Sequence, residues 1–205
     1  MYQYKYVFAQ LIAFLNRSKF NRIVSKYRGD KYVKHFTCWN QLLTLMFGQL
    51  SNRESLRDLI VAVEAHRRKC YHLGLGRHIT RSNLAKANMN RDYRIFEEYA
   101  YYLIGEARRK RLTDIFRLKQ HLKVKKFWGT TENAVRIQIY SAICAYCLVA
   151  IVQHDMQLNR STYEILQILS ISLTDTTHLR DIFDKTIFKK DNEPSNENEP
   201  SLFDF

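Results

Sequence analysis

Residues 80–94 place amide, hydroxyl and basic side chains at two successive predicted helix starts. Amide and guanidinium groups form bidentate hydrogen bonds with base edges, and backbone N–H groups at a helix start bind phosphates. The pattern predicts a helix-turn-helix in which a helix near residues 82–89 contacts DNA. The candidate DNA-binding residues are Arg81, Ser82, Asn83, Lys86, Asn90, Arg91 and Arg94. A solvated helical hairpin, with Asn and Ser as helix caps, explains the same pattern.

Two dense basic runs offer a second kind of contact, because each cation near a DNA phosphate releases counterions without reading the base sequence. The run at residues 66–69 is explained more simply as a solvated helix end, where cations favour the C-terminal dipole. The run that begins at Arg108 continues into further cations, which favours a shared role in binding phosphates. The candidates in this set are Arg108, Arg109, Lys110, Arg111, Lys123, Lys125 and Lys126.

No residue pattern predicts a catalytic or metal site. A two-metal nuclease site needs clustered carboxylates, whereas the Asp and Glu residues of the first hundred positions fall at predicted caps, turns and exposed helix positions. The His residues lack zinc spacing, and the chain lacks a glycine-rich phosphate loop. Cys144 and Cys147 form a CxxC inside an apolar helix, which favours packed free thiols. We therefore expect no metal and no cofactor.

The charge is distributed unevenly along the chain. Residues 1–128 hold 27 Lys or Arg and 9 Asp or Glu, a net charge of +18, whereas residues 129–205 carry −5, which gives +13 in total. A concentrated basic excess is typical of proteins that bind nucleic acid. A basic surface without a polyanionic partner is the alternative.

Apolar residues recur at helical spacing nearly throughout, with no strand alternation. We therefore predict an all-α protein with a helical DNA-binding domain (1–104), a C-terminal helical segment (105–188) and a disordered tail (189–205). Capping boxes predict helix starts at Ser51 and Ser161, and Asn90 is expected to cap the helix that follows it. The apolar stretch at residues 137–152 is shorter than the roughly 20 residues that cross a bilayer, which predicts a core helix. Four cysteines and no secretory signal indicate the cytoplasm.

Long ordered strings in this chain resemble bacterial insertion-sequence transposases of the DDE type, in the family with the Tyr-Arg-Glu-Lys signature. The N-terminal strings are Phe8-Ala9-Gln10-Leu11, Arg17-Ser18-Lys19-Phe20, Cys38-Trp39-Asn40-Gln41-Leu42, residues 49–58, Leu73-Gly74-Leu75 and residues 80–90. Residues 118–190 resemble the C-terminal end of that family, through a basic half, the break Phe127-Trp128-Gly129 and a Thr-rich helix start. The resemblance implies an N-terminal domain that binds the ends of a mobile element.

The resemblance also implies strand cleavage by two Asp and one Glu with Mg²⁺ on a ribonuclease H-like sheet. The two similar regions abut near residues 105–117 and leave no room for that sheet. Asp114 and Arg117 match the family's Glu and Lys only if one residue is skipped, and the upstream Tyr is absent. We therefore expect a transposase-derived protein with a deleted catalytic core. The alternatives are an active truncated transposase, with Asp114 as its weak catalytic candidate, and a non-functional relic.

Loss of the sheet would leave the apolar C-terminal helix without its usual cover. Its members are Ile137, Ile139, Cys144, Leu148, Val149 and Ile151. Burying one such side chain contributes roughly 1.5–3 kcal/mol. We expect these residues to cover each other, to contact the N-terminal domain or to drive self-association. The expected partners are double-stranded DNA at element ends, another copy of the chain or intact transposase, in the bacterial cytoplasm near the nucleoid and away from membranes.

Overall fold

The computed structural model describes residues 5–76, 79–110 and 127–185. Within these ranges the chain forms α-helices and turns and no β-strand, which confirms the all-α prediction. The helices are α1 (Val7–Ile12), α2 (Arg17–Lys26), α3 (Cys38–Leu50), α4 (Leu56–Ala65), α5 (Arg81–Asn90), α6 (Arg94–Arg109), α7 (Glu132–Asp155), α8 (Thr162–Ser172) and α9 (Leu179–Lys185).

Helix α7 is the centre of the fold. It packs against α3, α5, α6 and α8, and Ile137, Cys144 and Leu148 on it are fully buried. By length and hydropathy alone α7 could cross a membrane, but 72% of its most apolar window is buried inside the protein. Such burial agrees with the prediction of a core helix at residues 137–152.

One hydrophobic core runs from Val7 to Phe183. The predicted boundary between residues 104 and 105 falls inside α6, and α6 packs along α7. Three ways of burying the apolar C-terminal helix were expected: packing among its own residues, contact with the N-terminal domain, or self-association. The structure shows contact with the N-terminal helices. Ile139 alone of the six apolar residues named for that helix is only partly buried.

The break before α7 anchors that helix to α3. Trp128 donates its backbone N–H to the buried Gln138 Oε1 at 2.7 Å. A Cβ atom added to Gly48 in α3 would lie 2.7 Å from Trp128 Cη2, so the indole packs directly on the α3 backbone. Thr131 caps α7 by accepting a hydrogen bond from Ala134 N, as the Thr-rich helix start predicts.

Two of the predicted helix starts are wrong. Ser51 ends α3 and does not open α4, because its hydroxyl donates to Phe47 O at 2.7 Å. Helix α4 begins at Leu56, where Ser55 accepts a hydrogen bond from Asp58 N. Asn90 is the last residue of α5 and not the cap of α6. The capping box at Ser161 is confirmed.

Several predicted features lie outside the described residues. These are Arg111, Asp114, Lys123, Lys125, Lys126 and the tail from residue 189.

Candidate nucleic-acid interface

Helix α5 has one buried face and one polar exposed face. Leu84, Ala87 and Asn88 are buried. The exposed side chains are Arg81, Ser82, Asn83, Lys86, Met89 and Asn90. Except for Met89, these exposed residues were all predicted from the sequence to contact DNA. A polar helix face of this composition can reach base edges in the major groove.

Helix α5 is fixed at both ends. At its start, the Thr80 side chain accepts a hydrogen bond from Asn83 N at 3.2 Å. At its end, Asn133 of α7 donates its side-chain amide to the carbonyl oxygens of Asn88 at 2.9 Å and Arg91 at 2.7 Å. These bonds satisfy carbonyl groups that a helix end otherwise leaves without partners. The buried Asn88 Oδ1 accepts from Gln41 Nε2 at 2.6 Å, which ties α5 to α3.

Arg91 points into the protein. Its side chain is only 10% exposed and lies 3.9 Å from Asp30 Oδ1. Its guanidinium donates to Gln41 Oε1 at 2.9 Å and to the Phe36 carbonyl oxygen. Burial lowers the pKa of Arg91, and Cys38 and Asp30 oppose that effect. These contacts give Arg91 a structural role, so we leave it out of the interface.

Arg94 is exposed but paired. Its guanidinium forms a bidentate contact with Asp92, with Nη2 2.6 Å from Oδ2 and Nε 3.0 Å from Oδ1. This hydrogen bonding lowers the pKa of Asp92. Arg94 also lies over the Tyr27 ring at 5.1 Å. The pair cancels most of the field that an unpaired arginine would offer to a phosphate.

A basic loop at residues 27–36 lies opposite α5, and we did not predict it as part of the site. Arg28, Lys31, Tyr32, Lys34 and His35 are exposed on it, and Tyr32 is 90% exposed. Lys31 Nζ lies 4.9 Å from the centre of the Tyr32 ring. The sequence of this loop alternates basic residues with aromatic ones, a pattern typical of surfaces that bind nucleic acid. This pattern could have identified the loop before the structure was known.

The backbone of the basic loop is held in one conformation. Arg28 and Tyr32 adopt positive φ angles of 53° and 62°. A Cβ atom added to Gly29 would lie 2.4 Å from Ile95 Cδ1 and 2.8 Å from Cys38 Sγ, so a larger residue there would have to displace these buried side chains. Asp30 Oδ1 accepts from Cys38 N at 2.7 Å, which fixes the loop to the start of α3.

The basic loop and α5 form the two walls of an open groove of about 660 Å³. Arg28, Lys31 and Lys34 line one wall, and Asn83, Lys86 and Asn90 line the other. Asp92 is the one carboxylate among the described lining residues, and Arg94 pairs with it. Within the described ranges, no carboxylate forms an ion pair with Arg28, Lys31, Lys34 or Lys86. The groove is therefore strongly positive.

The second predicted basic set lies away from this groove. Arg109 is about 22 Å along α6 from Arg94, at a rise of about 1.5 Å per residue. Arg108 is exposed, Arg109 pairs with Glu106, and Lys110 pairs with Asp155. The structure therefore separates the described part of this set from the polar face of α5.

The described residues hold no group of three or more His, Cys, Asp or Glu side chains that could bind a metal ion. Cys38, Cys70, Cys144 and Cys147 are free and buried. Burial raises the pKa of Cys38 and of Cys147 to about 12. These cysteines pack as neutral thiols, as we predicted for the CxxC pair.

Comparison with known proteins points in one direction. Residues 3–76 match a family described as a domain of unknown function, DUF4372, and the match includes the basic loop. Over 65 residues the chain is 41% identical to "Putative transposase y4zB" of Sinorhizobium fredii (strain NBRC 101917 / NGR234). That stretch covers 32% of this chain and 17% of the relative. No solved structure matches. The two matches support a transposase-related protein.

Proposed function

We propose that this protein binds double-stranded DNA through the groove between the basic loop and α5. The loop cations and Lys86 contact phosphates, and Asn83 and Asn90 reach base edges. The observation that carries this proposal is that Arg28, Lys31, Lys34 and Lys86 are exposed in the groove, and no described carboxylate forms an ion pair with them. Exposed cations that remain unpaired attract a polyanion, whereas paired cations do not.

The size of α5 suits the major groove of a duplex. Helix α5 has ten residues, and an α-helix with its side chains is about 10–12 Å in diameter. The major groove of B-DNA is about 12 Å wide and admits one α-helix. Phosphates border that groove on both sides, so a helix inside it needs cations beside it. The basic loop supplies them on one side of α5.

The finer assignment is a DDE-type origin in the family with the Tyr-Arg-Glu-Lys signature. The similarity to a transposase over 65 residues supports a transposase-related origin, and the DDE type rests on the resemblance of the sequence strings. The target that follows is the terminal repeats of the mobile element. A chain with this groove and no catalytic core would occupy element ends, and it would compete with an intact transposase for them.

We further propose that this chain does not cleave DNA by itself. Two-metal cleavage needs carboxylates that converge on shared ions. Four of the described carboxylates serve other contacts instead. Asp30 accepts a hydrogen bond from Cys38 N at the start of α3. Asp92 pairs with Arg94, Glu98 with Lys26, and Asp155 with Lys110.

Titration of fluorescent duplexes with the purified chain, with and without Mg²⁺, tests both proposals: DNA binding through the groove and the lack of strand cleavage. One duplex carries the terminal repeats expected in the DNA around the gene, and a second carries the same bases in scrambled order. We expect tighter binding to the repeats and a log-log salt dependence with a negative slope. Equal, salt-insensitive binding to both duplexes contradicts the proposal. Strand cleavage with Mg²⁺ that Asp114→Asn abolishes contradicts the second part.

A further inference from the structure

A second basic cavity lies at the start of α5, on the turn that follows α4. Its volume is about 560 Å³. Glu64, Arg67, Arg68, Tyr71 and His72 line it from α4 and the turn, and Thr80 lines it from the cap of α5. The sequence marks this run as basic, but its simplest explanation there is a solvated helix end.

The cations of this cavity are available to a ligand. Arg67 and Arg68 are exposed, and within the described ranges no carboxylate forms an ion pair with either. Tyr71 is 65% exposed, and its ring meets the His72 ring edge-on at 5.6 Å. Guanidinium groups bind phosphate oxygens bidentately, and tyrosine hydroxyl and imidazole groups add hydrogen bonds.

The turn that carries these side chains is firmly anchored. Cys70 and Leu73 are buried in the core, and Cys70 N donates to His66 O at 3.0 Å. Asn40 of α3 donates its side-chain amide to Leu75 O at 2.9 Å. Gly76 has a φ of +83°, and a Cβ there would lie 2.4 Å from Asn40 Nδ2. A ligand would therefore meet side chains presented from a fixed backbone.

This cavity adjoins the groove through α5. Thr80 lines the cavity, and Asn83, three residues further on, lines the groove. Three residues of helix span about 4.5 Å. The linings of the groove and of the cavity are therefore neighbours along α5.

We propose that Arg67 and Arg68 bind backbone phosphates of the same duplex beyond the start of α5. This inference rests on the proposed function, and it extends the interface past the first turn of α5. Tyr71 and His72 add hydrogen bonds to these phosphates. The contacts position the duplex and do not read its sequence.

The full-length double variant Arg67→Ala/Arg68→Ala tests this site. Each lost phosphate contact removes about 0.9 from the salt slope. We therefore expect the slope of log K against log salt to become less negative by about 1.8, equally on repeat and scrambled duplexes. The matched control is Arg22→Ala/Arg180→Ala, which removes two exposed cations on α2 and α9, outside both linings. The control should keep the wild-type slope.

The double variant Arg67→Lys/Arg68→Lys distinguishes a loss of positive charge from a loss of folding. It keeps two cations, so we expect it to retain most of the slope and the melting temperature of the wild type. A double Ala variant that matches the control in slope overturns this inference, and so does a Lys variant that loses as much slope as the Ala variant. If the double Ala variant matches the control while Lys31→Ala/Lys34→Ala weakens binding, the proposed function stands without this site. If wild-type protein binds no duplex, both fail.

Discussion

The guanidinium of Arg91 donates a hydrogen bond to the main-chain carbonyl of Phe36, and this contact joins the two walls of the basic groove. Phe36 ends the basic loop, and Arg91 directly follows α5. The same guanidinium lies 5.4 Å from the centre of the Phe36 ring and bonds to Gln41 of α3. The spacing of loop and helix is therefore set inside the protein, before any ligand binds.

Replacing Arg91 by Ala should destabilise the fold. The change leaves the Phe36 carbonyl and the Gln41 amide without their donor, and it leaves Asp30 without its cation. We expect the free energy of unfolding to fall by about 2–4 kcal/mol, because buried partners lose their hydrogen bonds. Urea denaturation followed by circular dichroism measures this. A variant of unchanged stability with a selective loss of preference for the repeat duplex would instead return Arg91 to the interface.

Replacing Asn83 by Ala should erode sequence preference. A good bidentate amide contact contributes about 1–3 kcal/mol of discrimination against a wrong base. We expect the ratio of repeat to scrambled affinity to fall about 5-fold or more, with little change in the salt slope, because Asn83 carries no charge. Competition titrations measure the ratio. Lys86→Ala is the internal contrast, since it should weaken both duplexes alike; identical behaviour of the two variants would argue against base reading.

Replacing Tyr32 by Gly should weaken DNA binding without lowering the stability of the fold. Its side chain is 90% exposed and packs on little besides Lys31, and its φ of 62° favours glycine. Relief of left-handed strain offsets the entropy that glycine loses on folding. We expect the free energy of unfolding to stay within about 1 kcal/mol of wild type and DNA affinity to fall. Unchanged affinity would remove Tyr32 from the interface.

Alkaline pH should destabilise the protein through its buried thiols. Burial raises the pKa of Cys38 and Cys147 to about 12, whereas an unfolded thiol titrates at about 8.5. The unfolded state therefore loses these protons first, and stability falls as pH rises from about 9 towards 12. Urea midpoints between pH 7 and pH 10.5 measure the slope. Cys147→Ala should flatten it; a slope equal to that of wild type would contradict this account.

The exposed face of α5 could be predicted from sequence because it depends on local spacing. Ser82, Asn83, Lys86 and Asn90 recur at helical intervals, and the apolar Leu84 between them identifies the buried side. The helix limits were also close, with residues 82–89 predicted and Arg81–Asn90 observed. Thr80 caps the helix through a contact three residues away, which is again local.

The opposite wall and the role of Arg91 could not be predicted in this way. Lys31 and Lys34 lie about fifty positions before α5, and their placement depends on Gly29 packing under Ile95 of α6. Arg91 and Arg94 both lie just after α5 and cannot be told apart from the local sequence. Only Arg91 donates hydrogen bonds to Phe36 and Gln41, which are about fifty residues away in the chain. The start of α4 was predicted at Ser51 and lies four residues later, because of the backbone conformation of the intervening turn. Asn52 takes a φ of 54°, which moves the cap from Ser51 to Ser55.

The most direct test of the proposed DNA-binding groove is the salt slope of one triple variant. Lys31→Ala/Lys34→Ala/Lys86→Ala removes unpaired cations from both walls. Arg22→Ala/Arg57→Ala/Arg180→Ala removes three exposed cations outside the groove lining. At about 0.9 per phosphate contact, we predict that the groove variant loses about 2.7 from the slope on the repeat duplex while the control keeps it. Equal slopes for the two variants would contradict the assignment of this groove to DNA.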